Sequence, residues 1–500
     1  MTIQDLAVEA ERLLEGLGEG SMSETAYDTA WVARVPNPDV TGEPLFPAAY
    51  DWLLRNQHED GSWGAEIAFP HDRIISTLAA LITLAESDYR RDESEPAARR
   101  AIVYLNRERP NLEDDPAETV GFELILPELA RQAQALGLHL PYEDWTFVEH
   151  IKADKLKRIP PIAVYGGPTP LTHSLEYLGD RLMPSLAARP RSKNGSYGCS
   201  PSATAYVQLQ VPAEQARAYL ERAAAVTRTG GFTYLHPFEN FESAWVVDAL
   251  EPLWPQLPQI GSVVERLGWA WTSMGMAWST EGEVPDADDT AVSLSLFSKH
   301  KQPNHPGSDV FELYEGPDYF QTFVFERNPS VTTNAHILSA LRLLPVTPER
   351  RRMTLKLVSY LEREQVDGTF WCDKWHASPY YATDRVLVAL NGTSAQVVRR
   401  AVRWLLDEQG LDGGWGLGGG TVEETAWALD ALEAVGERDV ALGSVVRPAI
   451  DRAADYLTDR FGDSSYPALW IGKGLYSAPK IIRARVIGVL ARWDELKRSD

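Results

Sequence analysis

A tight group of carboxylates stands directly ahead of an apolar stretch with helical spacing. Asp286, Asp288 and Asp289 fall within four positions, and Glu283 lies just before them. Carboxylates suit the first turn of a helix, because the helix dipole favours negative charge there. Crowding also raises the pKa of one member, since neighbouring negative charges repel. The spacing therefore leaves two interpretations open: a charged helix cap, or a protonated aspartate that could donate its proton to an alkene in a dry aromatic pocket.

The elements that must position these carboxylates are helices. Apolar residues recur at helical spacing, as in residues 74–84, 386–390 and 402–406, and alternating strand patterns are scarce. A turn of the form Asp/Asn-Gly-Ser/Thr/Gly-aromatic recurs and precedes a helix start each time. Its four copies begin at Asp60, Asn194, Asp367 and Asp412. Repeated helix pairs must stack or close into a ring to bury their apolar faces, so we expect an all-α fold of two related barrels.

Composition and charge limit the classes of partner. The 500 residues carry a formal net charge of −23, which argues against nucleic acid and against docking on an anionic membrane through a basic face. An acidic protein can still bind a phosphorylated ligand if Lys, Arg or Mg²⁺ supplies local positive charge. The 16 Trp and 19 Tyr could pack a core, or line a pocket for a greasy or cationic ligand.

Cysteine content and targeting patterns predict a cytoplasmic protein. The two cysteines, Cys199 and Cys372, form no CxxC pair and no disulfide framework, which fits a reducing compartment. Residues 1–20 predict an acidic amphipathic helix rather than a signal peptide. No apolar run approaches the ~18–20 residues of a membrane span, so no stable membrane insertion is expected.

The aspartate group carries a family resemblance. Asp286-Ala287-Asp288-Asp289 resembles the DxDD acid motif of class II terpene cyclases. A lone DxDD is a weak signal, but further segments resemble those of plant and bacterial diterpene cyclases and fall in the family's order. They are Ala26-Tyr-Asp-Thr-Ala-Trp-Val-Ala33, Gln57-x-x-Asp-Gly-Ser-Trp-Gly64, Val120-Gly-Phe-Glu-Leu124, Trp245-Val-Val-Asp248 and Asp373-Lys-Trp375. The resemblance covers about residues 20–480 and identifies the chain as a bacterial class II diterpene cyclase.

The resemblance implies a specific domain arrangement. Members of the family have two α-helical double barrels, called β and γ, with the γ barrel inserted after the first helix of the β barrel. Residues 1–20 would be that first helix, residues 21–265 the γ domain, and residues 266–500 the β domain that carries the aspartates. The substrate cavity would lie between the two barrels.

Catalytic roles follow from the same resemblance. Asp288, the middle aspartate of DxDD, would be the general acid, and Asp286 and Asp289 would orient and polarise it. Asn334, in the segment Thr332-Thr333-Asn334, would hydrogen-bond the acid and set its geometry. Matching aromatic residues would stabilise carbocations by cation–π attraction, although each could equally be core packing. These are Trp245, Trp278 and Trp415.

The diphosphate end of the substrate needs cations. Lys155, just upstream of an Ile-Pro pair, and Lys374, in Asp-Lys-Trp, match lysines that grip the diphosphate in this family, with Lys157 as a near rival of Lys155. An acidic segment resembles the one assigned to Mg²⁺ in these cyclases, and hard carboxylate oxygens suit that ion. Its expected ligands are Glu113, Asp114 and Glu118, although an exposed acidic loop is equally compatible with the spacing.

The resemblance also implies the reaction. An isomerase of the intramolecular lyase type would protonate geranylgeranyl diphosphate and close it into a copalyl-type (labdadienyl) diphosphate, in the ent or another stereochemical form. Plant enzymes that make ent-copalyl diphosphate use a His and an Asn to hold the water that takes the final proton. Here His173 is retained, but Tyr234 stands where the Asn would fall. A rearranged bicycle, halimadienyl or clerodienyl (kolavenyl) diphosphate, is therefore the alternative product.

Other function classes fit less of the sequence. A class I terpene synthase could use Asp114-Asp115-x-x-Glu118 as DDxxE, but no second metal motif follows it. A triterpene cyclase shares DxDD but normally runs longer. An (α/α)-barrel glycosidase could pair Asp288 with Glu424, and a non-catalytic helical binder would show no turnover. The expected partners are a prenyl diphosphate substrate and a downstream class I terpene synthase that acts on the product.

Overall fold

The computed structural model describes residues 2–110, 112, 118–282, 284–302, 307–324, 326 and 328–499. These residues form twenty α-helices and only short strands, which confirms the predicted all-α class. The helices α1–α20 are, in order, Ile3–Glu15, Ala26–Ala33, Pro47–Arg55, Pro70–Glu86, Arg91–Arg107, Phe122–Ala135, Phe147–Arg158, Pro161–Tyr165, Pro201–Gln210, Glu214–Thr227, Glu239–Leu250, Pro258–Ala270, Ala287–Lys299, Val331–Arg342, Pro348–Arg363, Pro379–Leu390, Ala395–Glu408, Val422–Arg438, Val440–Asp459 and Pro479–Ser499.

Short elements connect the helices. Three 3₁₀ helices span Tyr142–Trp145, Thr172–Arg181 and Ser308–Tyr314. Four two-residue strands form two antiparallel pairs. Strand β1 (Glu24–Thr25) pairs with β2 (Phe232–Thr233), and β3 (Trp470–Ile471) pairs with β4 (Leu475–Tyr476). Within the described ranges, no helix is long and apolar enough to cross a bilayer.

The aspartates belong to a closed ring of helices. Each of six helices packs against the next, in the order α11, α13, α14, α16, α18 and α20, and α20 packs back against α11. Helices α1, α12, α15, α17 and α19 lie outside this ring. Because an outer helix returns the chain between most inner ones, those inner helices run in the same direction. Their N-terminal ends, including the start of α13, therefore share one end of the barrel.

A second ring is built from the N-terminal half of the chain. Helices α2, α4 and α6, the 3₁₀ helix Thr172–Arg181 and α9 pack in sequence, and α9 closes the ring against α2. Helices α3, α5, α7 and α10 surround it. The structure therefore contains two helical double barrels, as the sequence predicts.

The hydrophobic cores correct the predicted domain boundary. The buried apolar residues of one core lie between Ala26 and Phe232. The other core contains residues from Leu6 to Met22, the single residue Cys199, and residues from Tyr234 to Ala491. The sequence placed the end of the inserted domain at residue 265. However, α11 is an inner helix of the aspartate-bearing ring and α12 packs outside it. The first core therefore ends near residue 232, because Trp245 and its neighbours are buried in the other barrel.

The recurring turns share a set of hydrogen bonds. In three of them a Trp indole N–H donates to a carbonyl ten residues upstream, at 2.7–2.8 Å. The pairs are Trp63–Leu53, Trp371–Leu361 and Trp415–Leu405. A Gln side chain in each turn donates to two further carbonyls: those of Gly61 and Ala97 for Gln57, Thr369 and Val397 for Gln365, and Gly413 and Ala449 for Gln409. Each of these Trp backbone N–H groups also donates to a Thr hydroxyl of the following inner helix, at 3.0–3.1 Å. The repeat seen in the sequence is thus a structural joint between an inner helix and its outer neighbours.

A buried ion network links neighbouring inner helices of the aspartate-bearing ring. Asp430 of α18 accepts hydrogen bonds from Arg385 of α16 and from Arg485 and Arg492 of α20. Asp248 of α11 lies 3.3 Å from Arg385 and 3.2 Å from Arg485. The network therefore ties four helices together inside the barrel.

Candidate active site

The three aspartates cap and open helix α13. Asp286 is the N-cap residue, and its Oδ1 accepts from the backbone N–H groups of Asp288 at 2.9 Å and Asp289 at 2.8 Å. The backbone N–H of Asp286 donates to the carbonyl of Met276 at 3.0 Å, which fixes the turn ahead of the helix. The motif is therefore a helix cap and a carboxylate cluster at once.

Two of the aspartates are removed from water. Asp286 and Asp289 are 4% and 3% exposed. Burial raises the pKa of Asp286 to about 7, and burial together with the charge of Asp286 raises the pKa of Asp289 well above its usual range. Burial and mutual repulsion therefore favour a protonated form in this pair.

Asp288 is the least buried of the three aspartates and is hydrogen-bonded to a histidine. Its side chain is 14% exposed, and its Oδ1 lies 2.7 Å from Nδ1 of His336 on the neighbouring helix α14. The ring of Trp245, on α11, packs edge-on against the His336 ring at 5.5 Å. Side chains from three adjacent inner helices thus lie in series here: Asp288, His336 and Trp245.

The structure corrects the role expected of Asn334. Its side-chain amide donates to the carbonyls of Phe320 and Ser330, and its oxygen accepts from the N–H of Phe320 at 2.8 Å. No hydrogen bond joins it to Asp288 in the described part of the chain. Asn334 instead fixes the loop that carries Phe320 against α14, and His336, two residues further along, contacts Asp288.

Aromatic rings form a continuous wall from Asp288 to the other barrel. Successive ring centroids lie 4.2 to 6.5 Å apart along the series Trp245, Phe241, Trp470, Tyr476, Tyr234 and His173. The β3–β4 hairpin supplies Trp470 and Tyr476, which connect the two halves of the wall. Such ring faces can stabilise a cation that passes over them. The structure therefore brings Trp245, His173 and Tyr234 into one aromatic series with the acid.

The residues at the positions expected to hold the water that accepts the final proton lie at the far end of this wall. Burial, and then the ammonium groups of Lys473 and Lys155, lower the pKa of His173 to about 3. Burial also raises the pKa of Tyr234 well above its usual range. Both side chains are therefore neutral at physiological pH.

The Lys374 ammonium lies at the end of a second series of aromatic rings. The rings of Trp278, Phe323 and Trp375 follow one another at 6.2 and 6.3 Å, and the Lys374 ammonium lies 4.8 Å from the Trp375 ring. Lys374 is paired with Glu326. The preceding residue, Asp373, accepts from the N–H of Thr332 at the start of α14, which holds this turn beside the helix of His336.

The other predicted cation, Lys155, forms an ion pair, and most of the predicted metal segment lies outside the described residues. Lys155 of α7 pairs with Glu123 of α6 at 2.5 Å. Glu113 and Asp114 lie outside the described residues, and Glu118 lies just inside them. Within the described ranges no group of three or more His, Cys, Asp or Glu side chains is arranged to hold a metal ion.

Trp415 does not belong to the wall, which corrects its predicted role. It is 1% exposed, and its indole N–H donates to the carbonyl of Leu405 at 2.8 Å. The same arrangement recurs at Trp63 and Trp371. Trp415 therefore belongs to the structural joints between inner and outer helices.

Sequence reasoning missed three functional features. The first is His336, which lies two residues after Asn334. Its polar side chain in the same segment is the signal that could have identified it. The other two are the hairpin residues Trp470 and Tyr476, and the fully buried Lys473 between them. The signal for these is the Gly472-Lys473-Gly474 turn between two aromatic residues.

A cavity of about 320 Å³ lies near the junction of the two barrels. Its walls come from Ile67 before α4, from residues 417–421 with Glu424, and from Pro467 and Leu469. None of the three aspartates lines this space, so it is separate from the aspartate cluster.

Comparison with known proteins agrees with this architecture. Residues 322–463 match the family model of the squalene-hopene cyclase C-terminal domain. A type B diterpene cyclase from Mycobacterium tuberculosis is 32% identical and matches 96% of this chain and 97% of its own length. An ent-copalyl diphosphate synthase 2 from Zea mays is 33% identical over 74% of this chain, which spans 45% of that relative.

A solved structure matches the whole arrangement. The ent-copalyl diphosphate synthase from Streptomyces platensis superimposes with a TM-score of 0.81 at 28% identity, covering 97% of this chain and 99% of the other. The two-barrel fold and the capped aspartates agree with the 32% identity to a diterpene cyclase over almost the whole chain. Together they lead to one assignment. The chain belongs to the class II diterpene cyclases of the bacterial type and is an isomerase-type enzyme.

Proposed function

We propose that this cyclase protonates geranylgeranyl diphosphate and closes it into a copalyl-type bicyclic diphosphate, with the diphosphate retained. The observation that carries the proposal is the contrast within the aspartate cluster. Asp286 and Asp289 are buried, while Asp288 is partly exposed and bonded to His336. One carboxyl group is thus oriented to give up a proton at the start of an aromatic wall.

The chemistry of the first step follows from this geometry. The Asp288 Oδ2–H bond breaks, the terminal alkene of the substrate forms a new C–H bond with its π electrons, and a tertiary cation remains. The His336 N–H and the α13 N-terminus stabilise the carboxylate that is left. Two further alkenes attack in turn and close two rings, and loss of one proton completes an isomerisation.

The site of that final proton loss decides the product. A base near the bicyclic cation gives a copalyl-type diphosphate, whereas hydride and methyl shifts without one give a halimadienyl or clerodienyl (kolavenyl) diphosphate. His173 and Tyr234 are neutral and lie together at 6.0 Å. We assign the terminating acceptor to a water held by His173. The similarity to synthases named for ent-copalyl diphosphate favours the copalyl skeleton.

The diphosphate must be bound by cations. In the protein without substrate, the two candidate lysines are paired with carboxylates of the protein itself. Lys155 is bonded to Glu123 and Lys374 to Glu326. Both ammonium groups would exchange these carboxylates for diphosphate oxygens, which are stronger acceptors because of their higher charge. Mg²⁺ held by Glu113, Asp114 and Glu118 would neutralise part of the remaining charge. A class I terpene synthase would then ionise the retained diphosphate.

One incubation tests the proposal. Purified protein with Mg²⁺ should convert geranylgeranyl diphosphate into a bicyclic product that phosphatase turns into an alcohol, as seen by mass spectrometry. Asp288→Asn should lower kcat by at least about 10²–10⁴, the range typical of a lost general acid, with an unchanged circular dichroism spectrum. Removal of Mg²⁺ with EDTA should slow turnover. Release of inorganic diphosphate with a free hydrocarbon product would reject the proposal.

The product assignment has its own test. His173→Ala should raise the share of rearranged bicycles, because the water that accepts the proton loses its anchor. Tyr234→Asn should move the mixture toward copalyl diphosphate, since an amide can help to hold that water. Product profiles of the wild type and both variants are compared by gas chromatography after dephosphorylation. Three indistinguishable profiles would place the terminating base elsewhere.

A further inference from the structure

A lysine from one barrel is buried inside the other. Lys473 sits in the turn between β3 and β4 and is 0% exposed. Its neighbours are glycines, and a Cβ at Gly472 would lie 2.6 Å from the ring of Tyr234. The backbone of Gly472 accepts a hydrogen bond from the N–H of Val120 at 2.8 Å. The glycines thus allow the turn to enter the first barrel closely enough for the lysine to reach its interior.

The ammonium group is surrounded by acceptors from the first barrel. Lys473 Nζ donates to the carbonyl of His173 at 2.6 Å, to Glu176 at 2.9 Å and to the Ser200 hydroxyl at 2.7 Å, and it also contacts Ser202. The carboxylate of Asp28 lies 3.9 Å away. A buried ammonium with this many partners has one well-defined position.

The same hairpin also fixes the aromatic wall. Tyr476 stacks on Tyr234 at 5.7 Å, and Tyr234 contacts the His173 ring at 6.0 Å. Trp470 contacts Phe241, which packs against Trp245 near the acid. The hairpin thus holds His173 by its backbone and Tyr234 by its ring, while its other strand contacts the acid side of the wall.

We propose that Lys473 is a positioning residue that sets where His173 and Tyr234 lie relative to the aspartates, and thereby the product. The inference rests on the proposed function, in which these two residues border the terminating cation. Lys473 itself does not touch the substrate. Its charge is matched by Glu176 and Asp28, so its removal alone leaves buried carboxylates without a partner.

A charge-balanced variant separates positioning from stability. Lys473→Met/Glu176→Gln removes the ammonium and a matching carboxylate, so it should melt closer to the wild type than Lys473→Met does. Because a shift of ~1 Å can cost ~10²-fold in rate, we expect kcat to fall at least about tenfold and the share of rearranged bicycles to rise. Glu176→Gln alone keeps the contact to the His173 carbonyl and should retain the wild-type product share.

The matched control is Lys480→Met. Lys480 also joins distant segments, through Glu242 and the carbonyl of Gly16, but lies away from His173. It should leave the product share unchanged. If the double variant does not fold, Lys473→Arg carries the test, since it keeps the charge but places a planar guanidinium against the His173 carbonyl.

The inference would be overturned if the folded double variant showed wild-type turnover and product share. Where only Lys473→Arg folds, the same result for that variant would overturn it. A wild type that releases inorganic diphosphate would instead reject the proposed function itself. The two failures are therefore told apart by the wild-type product alone.

Discussion

At the scale of single residues, chemistry is divided among three aspartates by their surroundings. Asp286 is held by two backbone N–H groups, Asp289 is buried, and Asp288 faces a histidine. In the proposed function the same side chain therefore caps a helix at Asp286 and donates a proton at Asp288, according to burial and hydrogen bonding. His336 gives Asp288 its orientation, which is the part of the site that residue type alone does not specify.

This assignment predicts different effects for two residues on α14. His336→Phe removes the hydrogen bond to Asp288 while filling the same space, so kcat should fall by about 10²-fold with little change in melting temperature. Asn334→Ala leaves the backbone groups of Phe320 and Ser330 unpaired and should mainly lower stability, by about 1–3 kcal/mol. Steady-state kinetics and denaturant unfolding of both variants provide the check. Equal losses of kcat would contradict the assignment to His336.

At the scale of elements, the site is built from the N-terminal ends of inner helices. Helix α13 supplies the aspartates and α14 supplies His336, while the Asp373 turn caps α14. The recurring turns hold these ends in place, because each Trp and Gln ties a turn to the outer helix beside it. Structural tryptophans and wall tryptophans therefore occupy different places in the same barrel.

The difference can be measured at Trp415. Trp415→Phe keeps most of the buried ring but leaves the Leu405 carbonyl without its indole donor, so unfolding free energy should fall by about 1–3 kcal/mol. The product profile should stay that of the wild type. Trp245→Phe is the matched comparison, since that ring packs against His336 and its change should alter turnover. A changed product profile for Trp415→Phe would show that Trp415 does contribute to the wall that contacts the substrate.

At the scale of the whole molecule, two closed rings are joined by a hairpin and by the chain that crosses between them. Closure of the aspartate-bearing ring depends on α11 and α20, which lie far apart in sequence. The ion network of Asp430 links α16, α18 and α20 and reaches α11 through Asp248. The geometry at Asp288 therefore depends on charges buried deep in the barrel.

This dependence predicts a large effect at Asp430. The neighbouring arginines lower the pKa of Asp430 against the opposing effect of burial. Because the folded pKa is lowered, its stabilisation is present above the unfolded pKa of 3.8 and is lost only as pH falls through the folded value. Asp430→Asn should therefore lose about 3–5 kcal/mol at pH 7, as for a broken buried ion pair.

Urea unfolding at pH 5 and pH 7 measures this loss, and the difference from the wild type should be similar at both. Asp451→Asn, a partly exposed change in α19, is the control. A difference below about 1 kcal/mol, the size of a surface ion pair, would show that the network contributes little to ring closure.

Local patterns predicted much of this arrangement, and their failures have a common cause. The turn beginning at Asp412 was recognised, but its Trp415 was placed in the wall, because residue type does not show which way an indole points. The resemblance points to Asn334, and His336 is missed, because the rotation of α14 relative to α13 is not visible in one segment. The boundary at residue 265 was wrong because α11 looks the same from sequence in either barrel.

The helices, the repeated joints, the capped aspartates and the family can be predicted from the amino-acid sequence. Each of these depends on residues within a few turns of one another or on an ordered set of short motifs. Tertiary structure decided the bond between Asp288 and His336, which are 48 positions apart, and the contact between Lys473 and Glu176, which are 297 apart. Such contacts arise only when rings close, because ring closure fixes the rotation of each helix and the depth of each turn. The wall and its anchor therefore belong to the folded molecule.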